Sequence, residues 1–268
     1  MKKIYWVGIA ISTILIIAVC ATLVFLKKET KETKVKQENV ETDFQVSVIP
    51  ISQKDSFYNI QVEYPQFKSA NQEFNDKISR LILSEINNFK KDAKNNWEAR
   101  RATTPSSNQP LPENPPAPFD FIASWIPTQL NQKYISFIIN IYYFTGGAHG
   151  VTETDAFNYD VKNNKEIAIS DFIKPMPQAL ESLAQLASQE VRSQLEGKGV
   201  TLDENLKQMI EDGTKPTLQN YANFNFNNNF LTIYFEQYQV APGYIGPVTV
   251  TLYKDTLTQN SVTSDYLK

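Results

Sequence analysis

The sequence predicts an α+β fold, with helices packed on largely antiparallel sheets and one apolar transmembrane helix ahead of them. Three observations carry this. Alternating apolar and polar residues, the pattern of half-buried strands, recur through most of the chain. Three stretches abandon that alternation for apolar spacings of three and four residues, the period of a helix face. The order is strands, helix, strands, helices, strands, not the regular strand–helix alternation of a parallel sheet.

From the N-terminus, Ile4 to Leu26 is almost wholly apolar and uncharged, and roughly 20 such residues cross a bilayer. Lys2 and Lys3 precede it and Lys27 and Lys28 close it. The run is longer than the apolar region of a cleaved signal peptide and no small-x-small site follows, so residues 1–28 read as an uncleaved signal anchor. Cys20 follows Val19, where a lipid-attached cysteine needs a small residue, which argues against a lipoprotein. The lysines after the span pull against an outside C-terminal domain. The short N-terminus and the long domain that follows favour one, and the expected location is a bacterial cell membrane, single-pass, with the ectodomain outside. Residues 29–42, rich in Lys, Glu, Thr and Gln, form a solvated stalk.

Beyond the stalk the chain divides into an N-terminal strand-helix-strand part, 43–150, and a C-terminal α+β part, 151–268. Phe44 to Ile51 and Phe57 to Tyr64 are strands. Ser69 with Gln72 matches a capping box, and Phe74, Ile78, Leu81, Ile82, Ile86 and Phe89 make the helical stripe behind it. Thr103 to Pro118, dense in Pro, Ser and Asn, is a long loop, either a tolerated insertion or a partner-binding segment. Phe119 to Ile126 and Lys133 to Phe144 are strands, the second burying Ile135, Phe137, Ile139, Ile141 and Tyr143 on one face. Val151 to Val161 follows, turned by Asn163-Asn164 into a short strand around Ile167. Two helices come next. The first carries Leu180, Leu183, Ala184, Ala187, Val191 and Leu195 and stops at Gly197. The second is capped by Thr201 and Glu204 and ends at Gly213. Strands at Ala222 to Asn227, Phe230 to Phe235 and Val248 to Leu252 complete the chain, the first two joined at Asn227-Asn228-Asn229.

Composition excludes several chemistries. His149 is the single histidine, so multi-His zinc sites and a His-Glu-x-x-His pair are ruled out. A net charge of −3 without a basic patch argues against nucleic-acid binding. No Gly-x-Ser-x-Gly elbow supplies a serine nucleophile. No cofactor and no metal are implied. Glu153, Asp155 and Asp160 alternate along one strand, a spacing that exposed strand carboxylates also show without a metal. Asp171 fits a turn or cap.

Two segments stand out. Gly146-Gly147-Ala148-His149-Gly150 follows a strongly apolar strand; adjacent glycines allow a sharp turn or a close approach. It fits a strand-to-strand corner with His149 bonded locally, a ligand or partner contact, or a catalytic base. Glu236 to Pro247 joins two strands and mixes amides, glycines and aromatics, including Gln237, Tyr238 and Tyr244. It fits an ordered connection covering the core edge, or a protein- or glycan-recognition loop.

These segments carry a family resemblance. The Gly146 to Gly150 corner, the Asn164 to Ile173 stretch and the Phe235 to Pro247 segment together resemble a paired bacterial extracytoplasmic module, families of unknown function 4163 and 3298. Such modules occur in a lysozyme-sensing anti-sigma factor and beside a polysaccharide deacetylase. The resemblance implies an envelope protein that binds a partner, lysozyme or a peptidoglycan polymer. Only Met1, Lys2 and Lys3 precede the span, which leaves no sigma-binding segment, and no deacetylase domain follows before Lys268. The expectation is therefore an anchored binding or sensing module that is not an enzyme, with Gly146, Gly147, His149, Gln237, Tyr238 and Tyr244 as the partner-binding residues. The alternatives are an envelope hydrolase using His149 with a carboxylate, and a purely structural envelope subunit.

Overall fold

The computed structural model describes residues 45–103, 111–147 and 149–267. The expected signal anchor and the stalk lie outside them. Among the described residues no helix is long and apolar enough to cross a membrane. The fold is mixed α+β, as expected: two sheets and five α-helices among the described residues.

The first sheet has six strands in sequence order: β1 (Val46–Lys54), β2 (Tyr58–Phe67), β3 (Phe119–Leu130), β4 (Tyr134–Phe144), β5 (Val151–Asp160) and β6 (Lys165–Glu166). All pairs are antiparallel except β2 with β3, which run parallel. A parallel neighbour needs a crossover, and α1 (Gln72–Thr103) supplies it. Its buried residues Phe74, Ile78, Ile82, Ile86, Phe89, Ala93 and Trp97 form one stripe. The stripe packs on Ile60, Val62, Phe121, Ile135, Phe137, Ile139, Ile141, Phe157 and Tyr159 from the sheet.

The start and end of α1 differ from the expectation. Its first turn is capped by Asn71, whose side-chain oxygen accepts the Phe74 N–H at 2.9 Å, rather than by Ser69. The helix also continues past Phe89, because Ala93 and Trp97 extend the apolar stripe into a segment whose surface reads as polar. Buried Asn75 ties the helix to β2: its carboxamide accepts from Phe67 N–H and donates to Phe67 C=O, each at 2.9 Å.

The second sheet is antiparallel, β7 (Phe224–Phe226), β8 (Phe230–Phe235) and β9 (Val248–Tyr253). It packs under α3 (Gln178–Gly197) and α4 (Glu204–Gly213), with short α2 (Ile169–Phe172) and α5 (Lys254–Gln259) closing its flank. Asp203 caps α4, its carboxylate accepting the Leu206 N–H at 2.8 Å; the expected Thr201 lies two residues too early. Asp171 holds the expected local role, accepting the Ala168 N–H at 3.3 Å at the start of α2. The β7–β8 turn forms at the three asparagines, where Asn227 accepts from Asn229 N–H and Phe230 N–H.

Both sheets lie in one compact unit, Thr42–Lys268. Their cores are separate, and the seam between them is polar. Ser136 donates to Asn158 at 2.7 Å, Asn158 donates to Phe224 C=O at 2.6 Å, and Phe226 N–H donates to Ser136 at 2.9 Å. This seam positions β5 beside β8, where the cavity described next opens.

Candidate functional site: an acidic cleft on the outer edge of β5

Register decides which residues of β5 line the cleft. Glu153 pairs with Ile141 and Asp155 with Ile139, so both carboxylates stand on the sheet face that Phe157 and Tyr159 bury under α1. Toward Val151 the apolar filling gives way to these acids, with Glu85 of α1 close enough for its charge to act on Asp155. Tyr143 donates to Glu153 at 2.9 Å. Loss of solvent, then repulsion from Glu153, Glu85 and Glu236, pushes the Asp155 carboxyl up to about 6 from 3.8. Loss of solvent and the charge on Glu153 also raise Glu85. Burial, then the bond to Glu153, pushes the Tyr143 hydroxyl up.

The outer edge of β5 faces a cavity of about 470 Å³. Val151 to Asp155 form one wall, Tyr234 to Tyr238 and Thr249 the other, and His149 stands at the rim. His149 is exposed and its Nδ1 lies 3.0 Å from Gly150 C=O. The corner that delivers it depends on Gly146, with φ of +93°, where an added Cβ would come 2.9 Å from the Phe119 ring. On the opposite wall Tyr238 is 68 % exposed and held at φ of 72°, a left-handed conformation unusual for an aromatic residue. Its ring packs closely against Gly243, where a Cβ would fall 2.3 Å from ring atoms. Gln237 secures the same turn by donating to Gly243 C=O at 2.7 Å.

Two segments 85 or more positions apart in sequence thus meet at one cavity: His149, Gln237 and Tyr238 line it together. Gly146 and Gly147 shape the corner outside the lining. Tyr244, 82 % exposed on the turn Gly243–Ile245, also stands outside it. Sequence reasoning missed Asn223 and Tyr234 as cleft residues, and Glu236 entered only as the first residue of the singled-out loop. Asn223 has no motif: its role is to accept the Ala156 N–H at 2.8 Å and donate to Thr154 C=O at 2.5 Å, imitating a neighbouring strand. The alternation of Glu153 and Asp155 was the legible signal for the carboxylates. Asp160, the third member, is buried and accepts from the Asn163 N–H at 2.9 Å in the turn to β6. Among the described residues no three His, Cys, Asp or Glu side chains are grouped to hold a metal ion.

Residues 51–152 match the family model described as Deacetylase PdaC, and residues 170–255 match that described as Protein of unknown function (DUF3298). The chain carries a PdaC domain followed by a DUF3298 domain. The C-terminal expectation, family 3298, is met; for the N-terminal half the matching model is PdaC, and family 4163 is not shown. The Peptidoglycan-N-acetylmuramic acid deacetylase PdaC of Bacillus subtilis is 25% identical over 258 residues. That match covers 96% of this chain and 50% of the relative, so the chain spans half the length of the curated protein it resembles. Two crystal structures of DUF3298 family proteins share the fold. One, from Bacteroides fragilis, has a TM-score of 0.57 at 17% identity and covers 84% of this chain and 95% of that one. The other, from Pseudomonas aeruginosa, has a TM-score of 0.54 at 15% identity, covering 84% and 96%.

These matches correct one expectation. A chain that is not an enzyme was anticipated because the resemblance implied a binding or sensing module with no catalytic residues to carry over. The family model and the curated relative are both named for a deacetylase, so the expectation of a non-enzyme does not stand.

Proposed function

We propose that this protein is a peptidoglycan-directed module of the bacterial envelope, holding a wall glycan in the β5 cleft and serving its deacetylation. The observation that carries the reading is the meeting of an exposed aromatic, an imidazole and three carboxylates, Glu153, Asp155 and Glu236, on one open cavity. Tyr238 offers a sugar ring a flat apolar face, and the carboxylates accept from its hydroxyls. A carboxyl whose pKa is about 6 is poised for proton transfer near neutral pH, which gives Asp155 the acid/base role in the enzymatic part of the reading. The relationship to a peptidoglycan deacetylase supports both parts. The 1–28 segment then anchors the protein in the membrane, with the cleft on the outer side.

The test is retention of the full chain, in detergent, on purified peptidoglycan, together with acetate release from it. Retention lost in a Tyr238→Ala variant is the expected result. A chain that neither adheres to peptidoglycan nor releases acetate defeats the proposal.

A second reading has its own observation. Glu153, Glu85 and Glu236 all lie close enough to Asp155 to help raise its pKa, which marks a negative surface suited to a cationic wall-active protein such as lysozyme. Lysozyme retained in low salt and released by salt, independently of Tyr238, would favour it.

A further inference from the structure

β5 is the outer strand over most of its length, because β6 pairs only with Tyr159 and Asp160. In an antiparallel strand both main-chain groups of a residue point to one side, and the side alternates along the chain. Thr154 C=O and Ala156 N–H face outward, since both bond the Asn223 side chain. Thr152 has the same parity. Its N–H and C=O, with the N–H of Thr154, therefore face the cavity, and none has a hydrogen-bond partner among the described residues. These three groups are a short length of unpaired strand edge. Asn223 closes its inner end by occupying Thr154 C=O as a neighbouring strand would. The other end opens at the rim beside His149.

The two N–H groups belong to residues about 6.6 Å apart along the strand, so they need two acceptors at that spacing, with a donor for Thr152 C=O. A second strand carries this set in its main chain. Run antiparallel, its residue opposite Thr152 exchanges both bonds with it, and its residue opposite Thr154 accepts the remaining N–H. Run parallel, it also supplies two carbonyls and one N–H. Charge decides between the two. Asp155 and Glu236 stand at the inner end, because with Asn223 they line both this cavity and the adjoining one beside α1. Lys77 and Arg80 line the adjoining cavity but not this one. A parallel strand would bring its C-terminal end to those carboxylates, and an antiparallel one brings its N-terminal end. Asn223 also fixes where the incoming chain starts. With Thr154 C=O already taken, the residue opposite Thr154 has no ladder position beyond it and is the first of its chain.

We propose that the β5 edge at Thr152 and Thr154 docks the free N-terminus of an extended polypeptide as a short antiparallel strand, its ammonium group set among Glu153, Asp155 and Glu236. Main-chain bonds hold it, and the carboxylates select a charged amine. Its third residue lies opposite Thr152 and its first opposite Thr154. The second lies opposite Glu153 and turns its side chain to the same sheet face, where a lysine is favoured. The chain then leaves past His149. This inference uses the β5 main chain and does not rest on the glycan reading; a seated peptide fills the β5 wall and excludes a glycan from it.

The experiment titrates the full chain, in detergent, with the hexapeptide amide Ala-Lys-Thr-Ser-Thr-Ser in three forms: free, N-acetylated, and N-methylated at the third residue. The free form should bind. Acetylation removes the ammonium and methylation removes the donor to Thr152 C=O, and each should weaken binding about tenfold. Thr152 is exposed and its N–H faces outward, the setting in which a strand accepts proline without losing a ladder bond. Thr152→Pro should weaken the free peptide by a similar factor. Amide hydrogen exchange on the unaltered chain decides the matter even where that variant does not fold: exchange at Thr152 and Thr154 should slow with the free peptide. Absence of binding, equal affinity for the free and acetylated forms or for the free and methylated forms, or binding that leaves exchange at these two amides unchanged would overturn the proposal. Each of those results would leave peptidoglycan retention, and with it the glycan reading, where it stood.

Discussion

At the residue scale the site is built from groups held away from their ordinary states. Asp155 is the clearest: its carboxyl is raised from 3.8 to about 6, chiefly by burial. A raised carboxyl favours the protonated folded state, so its stabilising contribution is full below about 3.8 and is lost as pH rises through about 6. Asp155→Asn keeps the neutral form at every pH. We expect it to be more stable than the parent above pH 6, by on the order of 2 kcal/mol, and equal below about 4. Denaturant titrations at the two pH values check this, and a parallel pH profile in the variant would refute the assignment. Tyr238 is the second case. Its left-handed backbone costs about 1–2 kcal/mol for a non-glycine residue, close to the entropy a glycine would add back in the unfolded chain. Tyr238→Gly should therefore change stability by less than about 1 kcal/mol while abolishing peptidoglycan retention, a combination expected of a ring kept for contact and not for packing. Neither state was legible in the sequence. The Glu153–Asp155 alternation places two acids on one face, but the partners that raise Asp155, Glu85 and Glu236, come from α1 and the β8 loop.

At the element scale, periodicity located the strands and the three long helices but not the short α2 and α5, and the remaining errors in those elements fall at ends. Asn71 caps α1 where Ser69 was expected, because side-chain reach rather than residue type chooses among neighbouring polar residues. The parallel β2–β3 pair was not foreseen, since alternation identifies strands without giving their neighbours. The link between α4 and the cleft was also invisible. Gln239 donates to Gly213 C=O at 3.1 Å and to Asn220 C=O at 3.3 Å, and accepts the Glu236 N–H at 3.1 Å. Gly213, which ends α4, approaches the Gln239 backbone so closely that an added Cβ would fall 2.0 Å from its carbonyl oxygen. Backbone cannot move aside as a side chain can. Gly213→Ala should therefore cost about 3 kcal/mol by overpacking and shift the Glu236–Tyr238 wall. A melting curve reads the first effect and peptidoglycan retention the second. Unchanged retention in a folded variant would mean that the loop is positioned from Pro247 rather than from α4.

At the scale of the whole molecule, the cleft exists because two independently packed cores are held edge to edge. The first gathers residues between Ile60 and Tyr159, the second residues between Ile167 and Leu267. What joins them is mostly polar: the Ser136–Asn158–Phe224 chain and the Asn223 clasp on β5, with an aromatic bridge of Tyr134 to Phe226 and Tyr266 at 5.9 and 5.2 Å. Buried polar groups left without partners cost about 1–3 kcal/mol each, so the seam is specific while bonded and weak once broken. Asn158→Ala removes a donor and an acceptor at the centre of the seam, and a loss of about 3 kcal/mol is expected. Combined with Asn223→Ala, it should uncouple the two halves. Trp97 and Trp125 both pack on the first core, so their fluorescence follows that half, whereas α3 and α4 add the second half's share of the helical circular dichroism. In the parent the two signals should fall together with denaturant; in the double variant they should separate. Coincident transitions in that variant would show that the Tyr134 bridge and the remaining apolar contacts are enough to hold the sheets as one cooperative body. The cleft would then owe its width to packing and not to the asparagines.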